Sequence, residues 1–386
     1  MTRESLKITG LESVHWYVHD LERTRRFYTG LLDFAEVGAS DDDLTARGKQ
    51  RSVLFAAGDV KTLCSQPVGE GGRAWRWLQK HPEGVGTVVF GVEDIAHTWR
   101  VLEARGGTMI DEIRRAQDAH GTLAWFSITT PFGNTTFRFV ERKGYRAPFP
   151  GFVAYEKPRG GTNRFGFKSV DHITSNFRTL KPMELWMKEV MGFHEFWNIE
   201  FHTAADIAHG AQHGSGLKSV VLWEPESGVK FANNEPARPN FKQSQINVFV
   251  EDHRDNGIQH LALAIDDIVK NVGAMKQQPG IEFLTTPGAY YDYMPERLRQ
   301  CGVGSIDEDI EDLRKLGILV DGNKPHAYLL QIFMKETGHL LKDKEAGPFF
   351  YEIIQRKGDR GFGGGNFRAL FESIERAQRE AAADPR

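Results

Sequence analysis

Residues 349–358 read FFYEIIQRKG, a strand-length run that closes on a glycine turn. On the two-residue period of a strand, Phe350, Glu352 and Ile354 share one face, and Phe349, Tyr351 and Ile353 share the other. Both faces are apolar, which predicts a strand covered on both sides with a carboxylate in its middle. A buried, unpaired carboxylate costs several kcal/mol, roughly, so Glu352 must find a cation or hold a proton. Two more apolar strand faces carry a polar intruder. His172 stands between Val170 and Thr174 in SVDHITS, and His260 between Ile258 and Ala262 in IQHLALAI.

These strands belong to a larger pattern that occurs twice. LESVHWYVHDLERTRRFYTGLLDF resembles FKSVDHITSNFRTLKPMELWMKEVMGF, each a strand, a polar turn and a helix ending before Phe. EGVGTVVFGVEDIAHTWRVLEARGG resembles DNGIQHLALAIDDIVKNVGAMKQQPG, each a strand followed by an acidic helix start. TTFRFVERKGY resembles FFYEIIQRKGD, and all three pairs keep one order, so an α+β unit is duplicated. The Gly- and Pro-rich stretch between the halves predicts an N-terminal domain over 1–150, a linker over 151–166 and a C-terminal domain over 167–386.

Aligning the halves on Val14 and Val170 sets Trp16 against His172. Gly84 with Gly257 sets Thr87 against His260, and the shared RKG sets Arg138 against Glu352. The C-terminal half thus reads His, His, Glu where the N-terminal half reads Trp, Thr, Arg. Two imidazoles and a carboxylate form a facial triad that leaves up to three coordination positions open and favours non-haem Fe(II) and oxygen chemistry. The same three ligands plus water also suit catalytic zinc. Arg138 would repel a metal, so the N-terminal copy is expected to be structural.

Composition excludes several other classes. At 386 residues the chain exceeds the size of one growing core, which agrees with two domains. A formal net charge of −3 without a basic excess argues against a nucleic-acid partner. No apolar stretch approaches a membrane span and the N-terminus lacks a signal-peptide pattern, so no membrane partner and a cytoplasmic location are expected. Cys64 and Cys301 are too few for a disulfide framework or a thiolate metal site.

VDHITSN, IQHLALAIDDI, LLQIF, FFYEIIQR and GFGGGNFRALFESIE closely resemble the 4-hydroxyphenylpyruvate dioxygenase family of the vicinal oxygen chelate superfamily. The likeness is strongest across the C-terminal half. It implies two half-open barrels of βαβββ modules with a C-terminal helix over the active site, and one Fe(II) per chain held by His172, His260 and Glu352. It implies conversion of 4-hydroxyphenylpyruvate and O₂ to homogentisate and CO₂ in tyrosine and phenylalanine breakdown, by a homo-oligomer, either dimer or tetramer. It further implies a substrate pocket of Ser219, Asn234, Gln245, Gln331, Phe333 and Phe350, and a gate of Phe362, Asn366 and Phe367. Ala232 departs from the family, many of whose members carry proline there. His202, His209 and His213 make one loop richer in histidine than the family pattern, and a solvated loop is expected rather than a second metal site.

The chemistry agrees with that resemblance. Fe(II) with one carboxylate and two neutral imidazoles keeps a single net positive charge. A 2-oxo acid can chelate such an ion through its carboxylate and keto oxygens without an arginine clamp, leaving one position for O₂. Because the substrate brings its own oxo acid, no 2-oxoglutarate is needed. GFGGGNF superficially matches a dinucleotide loop, but no second parallel strand follows it. Its glycines are expected to let the terminal helix swing over the pocket. Hydroxymandelate synthase is the nearest alternative, acting on the same substrate. An extradiol ring-cleaving dioxygenase would need a further acid–base histidine, and drug-sequestering or glyoxalase relatives are shorter.

Overall fold

A computed structural model describes residues 4–202, 216–238 and 241–366. Nine strands form the first sheet: β1 (Ile8–Tyr17), β2 (Ala35–Ser40), β3 (Gln50–Ala57), β4 (Val60–Pro67), β5 (Gly84–Val92), β6 (Arg114–Gln117), β7 (Thr122–Thr129), β8 (Thr136–Lys143) and β9 (Phe152–Gly160). Eight form the second: β10 (Val170–Asn176), β11 (His194–His202), β12 (Gly216–Trp223), β13 (Lys230–Pro236), β14 (Gly257–Ala264), β15 (Leu319–Lys324), β16 (Ala327–Phe333) and β17 (Phe350–Lys357).

The strand orders are β6-β7-β8-β5-β1-β4-β3-β2-β9 and β11-β12-β13-β10-β14-β17-β16-β15. Reversed, the second order reproduces the first except for β9, so both sheets are built from paired βαβββ modules. Within each module the outer two strands run parallel, and the modules join through an antiparallel pair, β1 with β5 and β10 with β14. Each sheet curls into a half-open barrel. The stretch expected to be a linker contributes β9, which pairs antiparallel with β2.

Local chemistry explains the repeat. The acidic helix starts are N-caps: Asp94 accepts from the amides of Ala96 and His97 at the head of helix Ile95–Ala104, and Asp267 from that of Lys270 at the head of Ile268–Lys276. The convex strand faces carry the main core, which runs without interruption through both halves. Phe90, Phe137 and Phe132 of the first half meet Phe231 and Phe177 of the second. The Tyr28 and Tyr351 hydroxyls hydrogen-bond across the same junction at 2.8 Å. The odd face of β17, Phe349, Tyr351 and Ile353, therefore packs on this core. Its even face looks into the second barrel.

The ladders correct one sequence alignment. Thr87 pairs with His15 and Val89 with Ser13, whereas His260 pairs with Thr174 and Ala262 with His172. Ser13, not Trp16, is therefore the counterpart of His172. The shared Ser-Val dipeptide misled the alignment because interstrand pairing, with a bulge in each strand, sets equivalence. Thr87 and Arg138 keep their predicted places, since Val89 pairs with Arg138 as Ala262 does with Glu352.

Candidate metal centre

Three strands of the second barrel carry the site. His172, Ala262, Glu352 and Phe333 form one row across β10, β14, β17 and β16. His260 lies one strand repeat along, in the row of Thr174 and Phe350. His172, His260 and Glu352 are all buried, and their ligand atoms lie within 4.8 Å of one another. Glu352 Oε2 is 3.4 Å from His172 Nε2 and 3.3 Å from His260 Nε2. Ala262 contributes only a methyl group between the two ligands of its row, so the space they face stays open.

The donor set fits a divalent cation. Glu352 Oε1 is buried and has no hydrogen-bond partner among the described residues. Both imidazoles use Nδ1 for a neighbouring acceptor and turn Nε2 toward the common point, as metal ligands do. His172 Nδ1 is 2.8 Å from Asp171 Oδ1, and His260 Nδ1 is 3.3 Å from Gln259 Oε1. Gln259 in turn donates to Gln245 Oε1 at 3.1 Å.

Electrostatics show the same demand for positive charge. Burial raises the Glu352 carboxyl, but His172 and His260 outweigh it and bring the group below its ordinary range. Burial lowers His172, but Glu352 and Asp171 outweigh it and raise the imidazole. His260 is lowered by burial, with Glu352 opposing. A divalent ion would supply the positive charge that this buried carboxylate calls for.

The expected pocket residues surround this centre unevenly. Gln331, Asn234, Gln245 and Phe333 line the cavity over the triad, together with Thr174 and Ile354. Phe350 stacks on the His260 ring at 4.7 Å, against the ligand rather than across open space. Ser219 is buried opposite Asn234 in the β12–β13 ladder. Ser219 Oγ and Asn234 Oδ1 lack hydrogen-bond partners among the described residues. Asn176 accepts from Asn234 Nδ2 at 3.0 Å and sets that amide's orientation. Ala232 lies within β13, lining the cavity and packing on Val221 and Phe362.

Phe362 packs on His172 at 4.9 Å, and Asn366 accepts from the Tyr290 hydroxyl at 2.7 Å. Phe367, His209 and His213 lie outside the described residues, and of His202 only its place at the end of β11 is described. The glycines after Phe362 sit close to neighbouring side chains. A Cβ at Gly364 would meet Trp197 at 3.1 Å, and one at Gly365 would meet Asp321 at 2.8 Å. Gly364 and Gly365 thus allow close approach, and Gly363 holds a positive φ of 66°. Sequence reasoning missed Asp171, Gln259, Ala262 and Arg356. Asp171 and Gln259 directly precede the two histidines, and that adjacency was the available signal.

A sequence model of the glyoxalase/bleomycin resistance protein/dioxygenase superfamily matches residues 10–136, which gives the class of the fold. The 4-hydroxyphenylpyruvate dioxygenase of Dictyostelium discoideum is 32% identical over 375 residues, covering 96% of this chain and 98% of the relative. That of Caenorhabditis briggsae is 36% identical over 379 residues, covering 95% and 88%. The chain belongs to the 4-hydroxyphenylpyruvate dioxygenase family. Among solved structures, a triple mutant of 4-hydroxymandelate synthase from Streptomyces coelicolor superposes with a TM-score of 0.78 at 23% identity, covering 96% of this chain and 99% of that one. Among the described residues no helix is long and apolar enough to cross a membrane.

Proposed function

We propose that the chain is a non-haem Fe(II) dioxygenase that converts 4-hydroxyphenylpyruvate and O₂ to homogentisate and CO₂. The observation that carries this reading is the convergence of His172, His260 and Glu352 on one buried point, with Glu352 Oε1 still unpartnered. Fe(II) held there would supply electrons for O₂ chemistry and a Lewis acid for the oxo acid.

The protein's own part is to bind, orient and exclude water. His172, His260 and Glu352 would hold the ion. Phe333, Phe350 and Phe362 give the centre apolar walls that keep water from it. Asn234 Oδ1 and Ser219 Oγ, with Gln245 and Gln331, offer polar groups for the substrate's phenol end. Unsatisfied buried oxygens are costly without such a partner. The stoichiometry balances: one oxygen atom enters the new carboxylate and the other the ring, while the original carboxylate leaves as CO₂. A cytoplasmic location and a homodimer or homotetramer belong to the same reading, and light scattering checks the assembly.

The deciding experiment is product analysis by NMR after mixing Fe(II)-loaded protein with 4-hydroxyphenylpyruvate in air. Homogentisate is expected, and 4-hydroxymandelate would transfer the chain to the neighbouring activity. Glu352→Gln should lose at least about 100-fold in turnover together with stoichiometric iron, since it removes a ligand charge.

A further inference from the structure

Arg356 makes contacts that reach well beyond its own strand. Its Nε donates to Asp171 Oδ2 at 2.6 Å and its Nη2 to Asp171 Oδ1 at 2.7 Å, a bidentate pair. Asp171 Oδ1 is also the partner of His172 Nδ1. Arg356 Nη1 reaches forward to the carbonyls of Asp359, at 3.3 Å, and Gly361, at 2.7 Å. The next residue, Phe362, has its ring 5.8 Å from the guanidinium and packs on His172. A closed circuit therefore runs from Arg356 through Asp171 and His172 to Phe362 and back.

The N-terminal half contains the same device without the ligand. Arg142 donates from Nη2 to Glu12 Oε1 at 2.5 Å, and Glu12 precedes Ser13, the counterpart of His172. Arg142 Nη1 donates to the carbonyls of Tyr145 and Ala147, three and five residues on, the spacing at which Arg356 reaches Asp359 and Gly361. Gly144 and Gly358, two residues after each arginine, both hold positive φ, at 75° and 81°. The strap is thus a feature of the repeat, and only in the second half does it end on a histidine of the triad.

We propose that Arg356 is a positioning residue that couples the segment 359–362 over the cavity to the orientation of His172 through Asp171. A single guanidinium holds both the carboxylate that fixes the imidazole and the backbone that carries Phe362. Displacing the segment weakens the grip on Asp171, and binding an ion at His172 Nε2 strengthens it. Coupling of this kind is reciprocal. The proposal rests on the metal reading above.

The test uses the full chain and Co(II), whose visible spectrum reports ligand geometry. Wild type should bind one Co(II), and binding should slow hydrogen exchange at the amides of residues 359–362. Arg356→Lys and Asp171→Asn should weaken Co(II) binding about 10- to 100-fold, alter the spectrum and abolish the metal-dependent slowing. Arg142→Lys breaks the matching strap where no ligand stands, and should leave Co(II) affinity within twofold of wild type. Affinity and exchange unchanged in Arg356→Lys and Asp171→Asn would overturn the proposal, as would an equal loss in Arg142→Lys. Should Arg356→Lys not fold, Asp171→Asn decides alone. A wild-type chain that binds no Co(II) would instead overturn the metal reading itself.

Discussion

At the scale of single residues, the site depends as much on what is small as on what is charged. Glu352 is tolerated in a buried strand because two imidazoles face it, and Asp171 because Arg356 does. Burial raises the Asp171 carboxyl, but Arg356 and His172 outweigh it and hold the group well below the usual carboxylate range. Ala262 is the silent member, a methyl group in the row between His172 and Glu352. Ala262→Val should crowd the ion's place while leaving the fold intact, since overpacking costs about 1–3 kcal/mol. Equilibrium dialysis should show iron occupancy falling by at least about 10-fold with an unchanged far-ultraviolet dichroism spectrum. Normal occupancy would mean that the row does not border the ion. The triad was legible in the sequence because each member interrupts an apolar strand face. Ala262 was not, since an alanine on a buried strand is unremarkable until its cross-strand neighbours are known.

At the scale of elements, each half uses an arginine near the end of β8 or β17 to hold the segment that follows it. In the first half, the arginine strap places Phe149 beneath the Arg138 guanidinium, 4.9 Å from the ring centroid. Arg138 also donates to Ser127 Oγ at 3.1 Å. Arg138 therefore makes these contacts at the place where Glu352 borders the cavity of the second half. In the second half, Gly365 donates to Asp321 Oδ2 at 2.7 Å and docks the start of the C-terminal helix beside Tyr290 and Arg297. Gly365→Ala would drive a methyl group to within 2.8 Å of the Asp321 carboxylate. We expect faster proteolysis after Gly361 and a several-fold higher KM for the oxo acid, with metal content retained. Steady-state kinetics beside iron analysis separates this from damage to the triad. The helix caps at Asp94 and Asp267 could be read from sequence because capping is local. The role of the glycine run could not, because it depends on Trp197, Asp321 and Arg297, which lie far away along the chain.

At the scale of the whole molecule, the halves share one core and one buried histidine junction. His81 Nδ1 lies 3.0 Å from the His253 carbonyl, and the two rings stack at 5.0 Å. His253 is 2% exposed and also stacks on Phe249. Burial, with His81 and Arg254 adding to it, lowers its imidazole to about 3. The unfolded chain takes up this proton near pH 6.5, whereas the folded chain resists it until about pH 3. Stability from this group is therefore complete above pH 6.5 and falls as pH drops toward 3, by a few kcal/mol at most, roughly. Urea midpoints at pH 7 and pH 4.5 should differ less for His253→Gln than for wild type. An equal difference would remove His253 from the acid response.

Taken alone, the sequence determined the strand periods, the duplicated α+β unit, the helix caps and the three polar residues that interrupt apolar strand faces. These follow from short-range sterics and from the cost of a polar group on an apolar face, which any local window of chain expresses. Only the tertiary structure decided that Ser13 answers to His172, that the stretch between the halves adds a ninth strand, and that Arg356 bonds both Asp171 and the backbone before Phe362. Ladder register, bulges and contacts between distant segments arise when the chain closes on itself, and no local pattern encodes them.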